Sequence, residues 1–352
     1  MNFLFKARPR LPSELVRALR DAAVRLGVLR CAKGALQLGD APVSSDARRK
    51  TAEEMLQLIQ HAKLVLYGEG GSDPVPEQVA QFAQEAYQLD LLQYLLVVLP
   101  RLEFETRKDV VQLFSALLQR RIGSRLPTVE YLSAHPTIVL QTFQGYDDQD
   151  IALNTGMMLH EMLQHERLAK VLLYADDFYR FPHFIETSSF GVSCDVFSNL
   201  RDTLMRHKPM AADYLADHFT RFFAMHAQLL DSANYVTKRQ SIKLLGEILV
   251  DRAFYAVMTR YVSDDANLKR VMNLLRERSK NIQFEAFHVF KVFVANPKKT
   301  PAVEAILRRN RERLLAFLSD FLLDRTDESL TDERQYVMQI ISALPPLPGS
   351  AR

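Results

Sequence analysis

One recurrence constrains this chain more than any other feature of its sequence. Stretches beginning at Arg107, Ala152, Cys194, Arg239 and Phe284 are each fourteen residues of helical pattern, with apolar side chains at the same offsets. Seven positions into each stand Leu113, Met158, Leu200, Leu245 and Phe290; eleven positions in stand Leu117, Met162, Leu204, Leu249 and Val294. These offsets are i and i+4, hence one face of a helix. The starts are 45, 42, 45 and 45 residues apart, inside the roughly 40–47-residue period of HEAT and armadillo repeats, whose units stack because none can bury its apolar face alone. A globin-like or bundle arrangement explains helices but not a fixed recurrence. The expected class is therefore all-α, an armadillo/HEAT-like helical-repeat superhelix wound as a right-handed solenoid.

The intervening stretches Leu126–Gln144, Pro209–Leu229 and Asn267–Arg278 read as partner helices, with breakers such as Gly123, His135-Pro136, Lys208-Pro209 and Asn296-Pro297 at their boundaries. Only 12 glycines and 15 prolines in 352 residues, and almost no period-2 alternation, leave little room for sheet. Gly34–Arg49 and Gly68–Pro74 read as loose. The expected organisation is an atypical N-terminal cap with a flexible insertion over residues 1–50, a repeat domain over 51–341, and a disordered tail over 342–352.

Residues 1–30 are basic enough to resemble a transit peptide, but Pro12-Ser13-Glu14-Leu15 followed by Val16, Leu19 and Leu26 reads better as a capped amphipathic helix. The longest apolar run, Leu91–Pro100, is far shorter than the about 20 residues of a membrane span. The cysteines, Cys31 and Cys194, form no CxxC pair, which excludes a cysteine-built zinc module and fits a reducing, cytoplasmic compartment. A formal net charge of +3 hides an asymmetry: Lys238 to Arg313 holds seventeen Lys/Arg against eight Asp/Glu. That excess could steer an acidic partner or a phosphate backbone.

No motif assembles catalytic or cofactor chemistry. His160 and His165 bracket a metalloprotease-like sequence, but a spacing of i+5 turns the second about 140° from the first. The aspartates at 147, 148 and 150 lack the glycine and glutamate of a calcium loop, and helix capping by Asp150 explains them better. Gly68–Gly71 lacks the ending of a phosphate loop, and no nucleophile elbow occurs. The expectation is no enzyme, no cofactor and no metal. Two classes remain: a protein-binding scaffold, and an RNA-binding helical-repeat protein using the basic C-terminal half, although Arg and Lys recur at no single repeat offset.

Four blocks carry a resemblance: Phe104–Val110, Arg120–Tyr131, Asn234–Ser241 and the nearly unbroken Arg278–Pro297. They resemble the calcium-binding protein 39 family, also called mouse protein 25, and the similarity runs from about Ala52 to Ile340. The resemblance implies a non-catalytic scaffold that holds a STE20-related (germinal-centre-type) kinase or pseudokinase adaptor in an active conformation, with a further kinase in a ternary complex. It implies groove contacts at Phe190, Tyr235, Arg239 and Lys243, contacts to the activated kinase at Arg252 and Tyr255, and a C-terminal pocket at Lys269 and Met272 for a Trp-Glu-Phe tail. At Tyr255 the family has Phe, so a hydroxyl is added.

The residues' own chemistry leaves alternatives open. Arg239 and Lys243 are i and i+4, with Leu245 about 120° around the helix from Arg239; two solvated charges would satisfy that pattern. Phe190 could be a hydrophobic staple or core, Tyr235 could cap the preceding loop, and Met272 could be core. Phe284, Phe287, Phe290 and Phe293, at successive i+3 steps, read as core rather than pocket.

Overall fold

The computed structural model describes residues 11–31, 36–39, 44–323, 325 and 328–345. The chain forms two compact units, residues 1–203 and 204–352. Through the first run α1 (Pro12–Arg25), β1 (Val28–Arg30), β2 (Leu36–Leu38), α2 (Ser45–Tyr67), α3 (Pro76–Gln88), α4 (Leu91–Val98), α5 (Phe104–Gln119), α6 (Pro127–Ala134), α7 (Pro136–Gln144), α8 (Ala152–Leu163), α9 (Glu166–Leu173), α10 (Phe181–Thr187) and α11 (Phe190–Met205), the last crossing into the second. The second unit holds α12 (Lys208–Asp217), α13 (Phe219–Leu230), α14 (Tyr235–Val250), α15 (Tyr255–Tyr261), α16 (Asp265–Leu274), α17 (Lys280–Ala295), α18 (Pro301–Arg309), α19 (Arg311–Ser319) and α20 (Glu328–Ala343).

The five aligned segments lie in α5, α8, α11, α14 and α17, and all ten of their marker side chains are buried. Stacking follows the recurrence. In the first unit α2 packs on α5 and α5 on α8; in the second α14 packs on α17 and α17 on α20. Polar links tie successive helices one repeat apart: Lys63 Nζ donates to Asp109 at 2.5 Å, Tyr67 Oη to the Gln112 carbonyl at 2.9 Å, and Lys291 Nζ to Glu333 at 2.6 Å. The fold is all-α and built of helical repeats.

α1 forms as its pattern requires, burying Leu15, Val16, Leu19, Ala22 and Ala23 against α2, α3 and α4, while Glu14 accepts the Leu11 N–H at 3.1 Å. Of the stretch Gly34–Arg49, Leu36–Leu38 pairs antiparallel with Val28–Arg30, and α2 begins at Ser45; residues 34, 35 and 40–43 lie outside the described residues. Strands of three residues are too short to show a period, which is why the hairpin has no sequence signature. Of the expected tail, 346–352 lies outside the described residues, and α20 continues to Ala343.

Three local expectations need correction. Pro209–Leu229 is two helices, not one, broken at His218. There the Nδ1–H donates to the Tyr214 carbonyl at 3.1 Å and the imidazole stacks on the Tyr214 ring at 4.2 Å, so the side chain adds a second bond to a carbonyl that the His218 N–H already reaches at 2.9 Å. His135 closes α6 the same way, its Nδ1 2.8 Å from the Tyr131 carbonyl, ahead of the Pro136 that flagged that break. Asp150 does not cap α8, which has no side-chain cap; Asp148 accepts the Asp150 N–H at 3.0 Å in the preceding turn, and Asp147 pairs with Arg180 at 2.7 Å. Phe284 is only half-buried, whereas Phe287, Phe290 and Phe293 are core.

A polar network joins α8 to the first-unit part of α11. Tyr146 donates its hydroxyl to Asp195 Oδ2 at 2.5 Å and accepts from Asn199 Nδ2 at 2.7 Å, and the same Asn199 amide donates to the Gly156 carbonyl at 3.1 Å. Gly156 allows this close approach, because a Cβ there would lie 2.0 Å from Asp195 Oδ2. Burial pushes the Asp195 carboxyl up, and the Tyr146 bond only partly offsets it.

Candidate functional site

The second unit presents its densest group of site candidates along α14. The Asn234 side chain accepts the Val236 and Thr237 N–H groups at 2.9 and 3.4 Å, starting the helix at Tyr235. Thr237, Ser241, Ile242, Leu244, Leu245, Ile248 and Leu249 are buried. Tyr235, Arg239 and Lys243, spaced i, i+4, i+8, therefore form one stripe on the open side. Tyr235 is 43% exposed and Lys243 is exposed, so neither belongs to the core.

α17 supplies partners for that stripe. Asn281 Nδ2 donates to Tyr235 Oη at 3.2 Å, and Arg325 Nη2 donates to Asn281 Oδ1 at 2.6 Å while its guanidinium lies 4.3 Å over the Phe284 ring. The bond from Asn281, then one from Ser279, draws the Tyr235 hydroxyl below the usual tyrosine range. Arg239 Nη2 stands 3.9 Å from Glu285 Oε1, at the outer limit of an ion pair. Burial pushes the Glu285 carboxyl up, and Lys243, Arg239 and Arg325 draw it back. Glu285 thus holds the Arg239 fork loosely, and Arg239 also contributes, less than Asn281 and Ser279, to the lowering of the Tyr235 hydroxyl beside it on the stripe.

Arg252 and Tyr255 lie beyond the other end of α14, whose sixteen residues make it about 24 Å long. They flank Phe254, which is buried and anchors a 3-10 turn. Asp251 accepts the Ala253 N–H at 2.9 Å and pairs with Lys208 at 2.6 Å; Lys208 first, then that N–H, holds its carboxyl below the usual range. Both flanking side chains face solvent, Tyr255 at 67% exposure. They form a patch separate from Tyr235 and Arg239.

Lys269 and Met272 do share a cavity, a groove of about 1330 Å³ between α16, α17, α18 and α19. Its apolar lining comes from Met272, Leu275, Ile306, Leu314 and Phe317. Six cations line it as well, Lys269, Arg276, Arg308, Arg309, Arg311 and Arg313, against the single carboxylate of Glu312. Met272 is half-buried, at the wall rather than in the core.

Phe190 belongs to the first unit, opens α11 and is 70% exposed, which makes it neither staple nor core. His160 Nδ1 pairs with Asp202 at 2.9 Å, and His165 precedes α9; the two share no ligand, and no group of three metal-ligating side chains occurs among the described residues.

Asn281, Glu285 and Arg325 are site residues that sequence reasoning missed, as is Arg276 of the groove, and for the first three there was a signal. Their signal was the repeat itself: Asn281 lies 46 residues beyond Tyr235 and Glu285 46 beyond Arg239. Side chains one period apart meet on adjacent helices of a stacked array.

Comparison with known proteins shows the family. The family model described as Mo25-like matches residues 3–345. "Calcium-binding protein 39-like" of Homo sapiens is 44% identical over 343 residues, covering 97% of each chain. "Mo25-like protein" of Schizosaccharomyces pombe is 43% identical over 345 residues, 98% of this chain and 100% of that one. A designed armadillo repeat protein in complex with the peptide (KR)4 aligns with a TM-score of 0.40 at 12% identity, over 81% of this chain and 99% of its own. With a family model spanning nearly its whole length and relatives this similar end to end, the chain belongs to the Mo25-like family.

Proposed function

We propose that the chain is a non-catalytic cytoplasmic scaffold that binds a STE20-related kinase or pseudokinase and stabilises its active conformation, a further kinase joining in a ternary complex. The observation that carries this reading is the stripe Tyr235, Arg239, Lys243 on the open side of α14. An aromatic ring, a loosely held guanidinium and an ammonium stand in line there, with Asn281 and Glu285 behind them. Exposed Tyr and Arg on a rigid helix are the side chains that most often dominate protein interfaces. Phe190, and at a distance Arg252 and Tyr255, are exposed aromatic and cationic side chains of the same kind.

Activation on this reading is a population shift. A kinase whose active form is minor is drawn toward it only by as much as the scaffold prefers that form. The test is reconstitution: purified scaffold added to a STE20-type kinase raises its activity while the scaffold alone hydrolyses no ATP. Phosphotransfer by the scaffold alone overturns the reading. Affinity purification at physiological salt that yields RNA and no kinase replaces it with the nucleic-acid alternative.

The groove at Lys269 and Met272 is proposed as the seat of a Trp-Glu-Phe-type tail of the partner. Its apolar wall suits two aromatic anchors and its cations the carboxylate between them. Titration with a fluorescent peptide bearing that ending tests this. Equal binding after both aromatics become alanine removes the groove from the account.

A further inference from the structure

The groove holds more positive charge than the tail proposed for it can neutralise. The tail's glutamate and terminal carboxylate would face six cations, and the groove's own Glu312 is the only other carboxylate lining it. The cations divide by what they already hold. Arg308 Nε donates to the Pro345 carbonyl and Arg311 Nη2 to the Ser342 carbonyl, both at 2.6 Å, so these two fasten the end of α20. Lys269 is paired with Asp265 at 2.6 Å, and Arg309 Nε donates to the Ala305 carbonyl at 3.2 Å. Arg276 and Arg313 are exposed, and among the described residues neither guanidinium makes an ion pair or a hydrogen bond. The groove also receives the start of α19: Asn310, Arg311, Glu312 and Arg313 line it, and no side chain caps that helix. Uncapped N–H groups and two free guanidinia lining one groove suit a dianion with three acceptor oxygens.

We propose that the groove recognises a phosphorylated peptide, in which a phosphoserine or phosphothreonine flanking the aromatic tail is held by Arg276 and Arg313. The inference rests on the reading of the groove as a peptide site and adds to it a phosphate position that makes capture of the partner dependent on its phosphorylation. A nucleic acid fits less well. Single strands bind by stacking bases on exposed rings, whereas the groove's one ring, Phe317, is half-buried and packed on Phe321 at 5.2 Å. Half-buried Met272 and Phe317 offer apolar surface that a phosphodiester backbone leaves unused.

The experiment is fluorescence anisotropy with the whole protein at physiological salt. The probes are an unmodified peptide ending in Trp-Glu-Phe and four versions with phosphoserine at each of the four preceding positions. At least one phosphopeptide is expected to bind about tenfold tighter than the unmodified one. The double variant Arg276→Gln/Arg313→Gln, with an unchanged thermal melt, is expected to bring every phosphopeptide within about twofold of the unmodified peptide measured on the same variant. Phosphopeptides that all bind within twofold of the unmodified peptide overturn the inference and leave the peptide site standing. A gain that survives in the double variant overturns the assignment to these arginines. Failure of every peptide to bind overturns the underlying reading and the inference with it. A single-stranded oligonucleotide that displaces the best phosphopeptide at equal concentration overturns the inference in favour of nucleic acid.

Discussion

Replacing Gly156 by alanine sets helix propensity against tertiary packing, and the structure decides the sign. Within α8, alanine is favoured over glycine by about 1 kcal/mol, and on propensity alone Gly156→Ala stabilises. The added Cβ, however, would lie 2.0 Å from Asp195 Oδ2 and 2.7 Å from Tyr146 Oη, far inside contact distance. Asp195 must swing away and lose the Tyr146 hydroxyl, a hydrogen bond to a charged group worth about 1.5–3 kcal/mol. The ring of Tyr146 is buried and cannot follow cheaply. The net expectation is destabilisation of about 1–2 kcal/mol, felt first where α8 meets α11. A chain of two compact units need not melt in one step. The assay therefore pairs a thermal melt with hydrogen exchange resolved to the amides of α8 and α11, where protection should fall by roughly five- to thirtyfold. In an Asp195→Ala background the same glycine replacement should cost about 1 kcal/mol less, because the carboxylate is no longer displaced. A higher melting temperature and stronger protection in the single variant would refute the reasoning.

Arg239→Ala should weaken partner binding by about 2 kcal/mol, roughly thirtyfold by calorimetric titration, and shift stability by less than about 0.5 kcal/mol; the 70%-exposed Arg49 serves as control, and unchanged affinity would leave Arg239 a solvated charge. Glu285→Gln should leave stability at neutral pH unchanged or slightly higher, since the folded state raises this carboxyl's pKa and so disfavours its ionised form; a clear loss of stability at pH 7 would contradict that. Complete burial lowers the His226 imidazole to about 4. Because the unfolded chain binds the proton first, stability should decline as pH falls from about 6.5 towards 4, by up to roughly 3 kcal/mol. His226→Gln should flatten that acid limb in urea melts taken across the window, and an unchanged slope would assign it to other groups.

How much of this was legible in the sequence is clearest in α14. Leu245 and Leu249 recur at the offsets shared by all five segments, so the buried stripe, and with it the outward placement of Arg239 and Lys243, follows from helical geometry alone. The sequence by itself likewise determined the all-helical class and the break at His135-Pro136, because periodicity and the missing proline N–H are local properties. Tertiary structure decided what no local property encodes. Asn281 and Arg325 reach the site from one and two repeats onward, since stacking brings together side chains about 45 residues apart. His218 ends a helix with no proline to announce it, because its imidazole turns back onto Tyr214. Phe190 and Met272 carry the hydrophobicity of core residues, and only the neighbouring helices, by failing to cover the first and covering half of the second, leave both accessible. The groove beside Met272 is the same case at larger scale: its lining comes from α16, α17, α18, α19 and the turns between them, and a cavity belongs to the way elements pack rather than to any one of them.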